Sequence, residues 1–152
     1  MNKILATILC TLPVFVGFAW LAPANAQQEE EVEEEKTPLQ EGMNELYNGL
    51  RTLRKSLKDE SRDAESLATL CAMQRGALIA KSETPPLTAK QPADAQAGFV
   101  LDYRRQMIAV TRDLLEAENL LLQGKREEAR SMLRKVHESE EEGHETFTED
   151  EE

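Results

Sequence analysis

The leucine spacing between residues 39 and 57 constrains this chain more than any other feature. Leu39, Met43, Leu46, Leu50, Leu53 and Leu57 recur at intervals of 4, 3, 4, 3 and 4. An α-helix turns every 3.6 residues or so, and such a series draws one apolar line that a second helix must cover. The pattern returns further on. Tyr103, Met107, Val110, Leu114, Ala117 and Leu121 form a second seam, which Leu115 and Leu122 are expected to broaden. Ala129, Leu133, Val136, Glu140, His144 and Phe147 follow a third, apolar at its start and polar at its end. Leu67, Leu70, Cys71, Gln74, Ala77 and Leu78 give a less regular stripe between them. No useful stretch alternates apolar and polar residues as a half-buried strand would.

The breakers divide these seams into four predicted helices, over 38–58, 62–82, 94–123 and 125–147. Pro38 suits a first helical turn, where its missing N–H costs nothing. Thr84-Pro85-Pro86 ends the second helix, and Pro92 lies in the loop that follows, 83–92. Gly124 stops the third and permits a tight turn. Short connections at 59–61 and 123–124 make neighbouring helices antiparallel. The expected fold is all-α, an antiparallel up-down-up-down four-helix bundle over 38–147.

The first 26 residues read as a secretory signal peptide rather than part of the fold. Lys3 supplies the positive start, Ile4 to Ala22 the apolar run, and Ala24-Asn25-Ala26 the cleavage site. Cleavage after Ala26 leaves no segment for stable membrane insertion. It also removes one basic residue, leaving 17 Lys and Arg against 29 Asp and Glu, a net charge of −12. That charge excludes a nucleic-acid partner and favours basic ones. The acidic stretches 27–37 and 148–152 read as a disordered segment and a disordered tail. One cysteine, Cys71, remains. It reads as a small buried hydrophobe, with an intermolecular disulfide as the alternative and a monomer as the expected state.

In an up-down-up-down bundle the start of the first helix and the end of the last lie at one end. Met43 and His144 occupy those two places. A thioether and an imidazole facing each other across a bundle core suit the axial positions of a haem iron. Taken singly, Met43 is an ordinary core methionine and His144 a solvated histidine. His137, seven residues earlier and nearly on the same face, is a competing ligand. A di-iron carboxylate site needs Glu-x-x-His on two helices, and only Glu141 and His144 offer that spacing. Nucleophilic catalysis has no supporting constellation, and there is no C-x-x-C-H motif for covalent haem attachment. A haem-free helical interaction or stress-response protein is the alternative function.

Four segments together resemble the cytochrome b-562 family of periplasmic four-helix cytochromes. They are L-Q-E-G-M-N-E-L at 39–46, T-P-P at 84–86, D-Y-R at 102–104 and G-K-R-E-E-A at 124–129. Met43 falls on the family's methionine ligand, and the spacing from Gly124 brings His144 onto its histidine ligand. The resemblance implies one non-covalent haem b per chain, with Met43 and His144 as axial ligands of the iron. It implies one-electron transfer in the periplasm, with an unidentified and basic redox partner. Both axial sites filled leaves no open position for substrate, so a carrier rather than an enzyme is implied.

The chain also departs from the family pattern. The first connection is longer, and the stretch before His144 is E-S-E-E-E-G at 138–143, where the family is basic and aromatic. Glu140 stands one turn before His144, where the resemblance suggests a cation. A carboxylate there is expected to favour ferric iron and lower the potential. Gly143 is expected to cost the last helix about 1 kcal/mol relative to alanine.

Overall fold

Thr37 starts the first helix. Its hydroxyl accepts from the Gln40 backbone N–H at 3.2 Å, and the Gln40 side chain accepts from the Thr37 N–H at 2.9 Å. This reciprocal capping box satisfies two donors that a helix start would otherwise leave orphaned, and Pro38 follows in the first turn. The computed structural model describes residues 36–148. The expected leader at 1–26, most of the 27–37 segment and residues 149–152 lie outside the described residues.

Four helices follow: α1 (Pro38–Ser56), α2 (Asp63–Ser82), α3 (Gln96–Leu122) and α4 (Arg126–Phe147). A short 3-10 turn, Glu60–Arg62, bridges the first connection, and another, Pro86–Lys90, runs within the long loop. Gly124 takes φ 73°, a left-handed conformation that glycine adopts without a Cβ penalty, and so turns α3 into α4. Among the described residues no helix is long and apolar enough to cross a membrane.

Paired positions show that neighbours run in opposite directions. Along α1 and α2, Gly42 meets Gly76 and Ala80, Gly49 meets Met73, and the Ser66 hydroxyl donates to that of Ser56 at 2.7 Å. One number falls as the other rises. Gln74 to Glu118 and Tyr103 to Ala80 give the same reading for α2 and α3. Gln106 to Ser139 and Phe99 to Phe147 give it for α3 and α4. The expected bundle is therefore the observed one.

The seams are buried as expected in three helices. Leu46, Leu50, Leu53 and Leu57 of the first seam are at most 7% exposed, as are all six seam residues of α3. Ala129, Leu133, Val136 and Phe147 of α4 are at most 8% exposed. Two expectations are corrected. Leu115 and Leu122 do not broaden the α3 seam but stand 52% and 67% exposed. On α2 the buried line is Ser66, Leu70, Met73, Gly76, Ala77 and Ala80. Leu78 is half exposed, and Leu67, Cys71 and Gln74 are only partly covered. The difference has a physical cause. α2 meets α1 through small residues, which bring two backbones together without contributing much hydrophobicity. Cys71 and Gln74 instead face Glu118 of α3, at 3.6 and 2.7 Å.

The closest approach is between Gly42 and Gly76. A Cβ on Gly42 would lie 2.5 Å from the Gly76 carbonyl oxygen, and one on Gly76 would lie 2.7 Å from the Gly42 oxygen. The obstacle is backbone in both cases and cannot swing aside. Gly42→Ala or Gly76→Ala is therefore expected to lower the unfolding free energy by about 1–3 kcal/mol. Gly98→Ala on α3, where a Cβ meets nothing within 4 Å, is the control and should be neutral or stabilising. Urea unfolding of the three variants checks this.

Tyr103 ties α3 to the end of α2. Its hydroxyl donates to the Ala80 carbonyl at 2.8 Å, and its ring is 2% exposed. Burial, and secondarily the Glu83 charge, push its pKa from 10.0 to about 12. Because the folded value is the higher, the fold favours the protonated phenol. The associated stability is complete below pH 10 and is lost as pH rises towards 12, by roughly 2–3 kcal/mol. Unfolding of wild type and Tyr103→Phe between pH 9 and 12 should show the alkaline loss in the wild type only.

Candidate functional site

At the end of the bundle that holds the start of α1 and the end of α4, the side chains do not close. A cleft of about 340 Å³ opens there, within the range of about 300–1,000 Å³ usual for ligand and cofactor sites. Leu39, Met43, Leu46 and Leu50 line it from α1, Tyr103, Met107 and Val110 from α3, and Val136 and Phe147 from α4. Pro85 and Pro86 border it from the long loop. The wall is largely apolar, so water inside gains few hydrogen bonds and a flat apolar group entering it is favoured.

Met43 and His144 both line this cleft, from opposite helices. Met43 is half-buried within the α1 seam, whereas His144 is exposed. The helix end holds the histidine's backbone: the Thr148 N–H and hydroxyl both donate to the His144 carbonyl, at 3.2 and 2.7 Å. His137, the competing candidate, lines a different cavity, of about 310 Å³, between the middle of α4 and the end of α1. Its two ring nitrogens lie 3.1 Å from Glu140 and 3.7 Å from Glu141. The structure thus brings Met43 together with His144 and separates both from His137.

Glu140 borders the cleft too, with its side chain 20% exposed. Its carboxylate also lies 3.1 Å from His137 Nδ1, so it stands between the cleft and the His137 cavity. Exposed Glu41 and Glu45 on α1, and Glu141, Glu142 and Glu145 on α4, stand at the same end of the bundle.

Three features of the cleft went unread in the sequence. Phe147 packs edge-on against both Phe99 and Tyr103, with centroids 5.0 and 5.3 Å apart, and closes the end of the bundle. Gln106 donates from its side-chain amide to the Ser139 carbonyl at 2.6 Å, tying α3 to α4 one turn before His144. Gly143 leaves room for that amide, because a Cβ on it would lie 3.0 Å from Gln106 Nε2. The helix cost of Gly143 thus coincides with an interhelical link beside the cleft. A polar residue adjacent to the Tyr103–Met107 seam was the available signal for Gln106.

Cys71 is free and partly buried. Burial, then the neighbouring Glu118 carboxylate, push its thiol pKa up, which leaves little thiolate for nucleophilic chemistry. Among the described residues no group of three or more His, Cys, Asp and Glu is placed to hold a metal ion. The donors at the cleft include the thioethers of Met43 and Met107, the His144 imidazole and the Glu140 carboxylate, and a soft sulfur with an imidazole is the pair of interest. That pair suits an iron carrying its own equatorial ligands, and the apolar walls suit the macrocycle around it. The residues present therefore fit a b-type haem.

Comparison with known proteins agrees. No curated protein matches the chain. A family model described as cytochrome b562 matches residues 38–148, the whole bundle from the first turn of α1 to the end of α4. With that match the kind of function is haem binding and electron carriage, and the chain belongs to the cytochrome b562 family.

Proposed function

We propose that the protein is a periplasmic one-electron carrier. It would hold one non-covalent haem b in the cleft between α1, α3 and α4, with Met43 Sδ and a ring nitrogen of His144 as axial ligands. The observation that carries this reading is that Met43 and His144 line one apolar cleft in a chain of this family.

The haem, when bound, supplies a reversible Fe(III)/Fe(II) couple. Everything else falls to the chain. The Met43 thioether is a soft donor and favours the ferrous state, which raises the potential. A ring nitrogen of His144 would hold the iron together with Met43, and oxygen or substrate would then find no free position. Leu46, Met107, Val110 and Phe147 exclude water, so that little solvent reorganises when the charge changes. Glu140 acts the other way from Met43: a carboxylate beside the site stabilises the ferric state. The acidic groups around the mouth attract a basic partner and speed the encounter.

Purified protein supplied with haem should show a sharp Soret band and, when reduced, narrow alpha and beta bands. Met43→Ala and His144→Ala should each lose the low-spin spectrum, while His137→Ala should keep it. A folded protein that stays colourless with added hemin would overturn the reading and favour a haem-free interaction protein.

Redox titration tests Glu140. Replacement by glutamine should raise the potential on the order of tens of millivolts, the scale set by one unit charge at an effective dielectric near 20. An unchanged potential would remove Glu140 from the site's electrostatics.

A further inference from the structure

The outer face of α3 carries an apolar line that the bundle does not use. Leu101, Ile108, Leu115 and Leu122 are 51%, 54%, 52% and 67% exposed. They stand seven residues apart, along nearly the whole of a 27-residue helix. At 100° per residue this line sits about 130° around the helix from the centre of its buried seam. Single exposed leucines are ordinary, but four in a heptad series form a stripe. The stripe drifts about 20° per heptad on a straight helix, the slant that a left-handed crossing with a second helix follows.

We propose that this stripe is an interface with a second copy of the chain, the two α3 helices packing antiparallel about a twofold axis near Thr111 and Arg112. The spacing selects that occupant and the flanking charges agree with it, while Arg112 of each copy, which would lie beside the other at the axis, has its own Asp113 at 3.8 Å. In the antiparallel register Leu101 meets the copy's Leu122, and Ile108 meets its Leu115, so all four positions are paired at once. An isologous interface requires this self-complementarity.

The flanks carry cations on the N-terminal half, Arg104 and Arg105, and anions on the C-terminal half, Glu116 and Glu118. Two helices run antiparallel bring Arg104 of each chain to Glu118 of the other, and Arg105 to Glu116. A parallel pair would set like charges together. Among the described residues Arg104 makes no ion pair, and Arg105 is held by exposed Asp102, at 2.7 Å. The chain's net charge of −11 disfavours an anionic membrane surface as the occupant. The raised thiol pKa of Cys71 disfavours a disulfide as the link.

The face is one helix wide. The paired stretch from Leu101 to Leu122 is about 32 Å long, and a strip about 10 Å across buries roughly 300 Å² per chain, less than half the area of a standard interface. The dimer is accordingly weak and forms at high protein concentration, with Kd near about 0.1–1 mM. It replaces the monomer expected from the sequence, and it is independent of the haem reading because the stripe faces away from the cleft.

Sedimentation velocity of the purified protein over a concentration series up to about 1 mM tests the proposal. Wild type should associate reversibly to a dimer. Leu115→Glu should weaken association at least about tenfold, with helical circular dichroism unchanged. Arg104→Glu/Arg105→Glu alone and Glu116→Lys/Glu118→Lys alone should each remain monomeric, whereas their mixture should form a heterodimer through the swapped charges. A wild type that stays monomeric, a Leu115→Glu protein that still dimerises, or a mixture that does not pair would overturn the proposal. So would binding to phosphatidylcholine vesicles without self-association.

Discussion

The close packing of α1 on α2 is the contact on which the rest of the molecule depends. Gly42 and Gly76 let two backbones approach with no side chain between them, and Ser56 and Ser66 join the other end through a buried hydrogen bond of 2.7 Å. Small residues make this seam, so it holds α1 tightly to one neighbour. The leucines of α1 that face the other way must then be covered across a wider gap. Both cavities lie on that side, one at each end of α1, and Leu50 borders both. A bundle with large residues on every seam would close evenly and leave no room. The cleft is therefore a consequence of where the small side chains are, as much as of where the large ones are.

The same asymmetry explains what could be read in the sequence. On α1, α3 and α4 the large apolar residues of the 4–3 seams supply most of the buried face, and the spacing gives that face directly. On α2 they do not. Ser66, Gly76 and Ala80 are buried because they are small, and apolar spacing, which does find Leu70 and Ala77, passes over them to Leu67 and Leu78. On α3, Leu115 and Leu122 lie next in sequence to Leu114 and Leu121, yet 100° away around the helix, on the far side of the seam edge. Composition there argues for core, while geometry puts them in solvent.

At the cleft the legible part was topological. Chain order in a bundle brings residue 43 and residue 144 to one end, whatever the side chains do. The Gln106 to Ser139 bond and the space above Gly143 were not legible, because they depend on how α3 and α4 are rotated against each other. The separation of His137 from His144 depends instead on distance along α4. Seven residues are nearly two turns, and the distance of two turns along α4 carries His137 out of one cavity and into the other.

The charges of α4 run against the order that helix stability alone would choose. Glu127 and Glu128 in the first turn suit the positive end of the helix dipole, but Glu141, Glu142 and Glu145 crowd towards the negative end. Each carboxylate misplaced in this way within the last turn costs about 0.3–1 kcal/mol. A cost repeated along one helix end is not a packing requirement, since these side chains are exposed and touch nothing in the core. Its effect is a negative field at the mouth of the cleft. On the proposed reading that field does two things together: it draws a cationic partner to the end of the bundle where the electron leaves, and it offsets part of the rise in potential that a thioether ligand brings. Both effects act through the same few glutamates, so partner attraction and potential cannot be tuned separately by changing the net charge of this helix end.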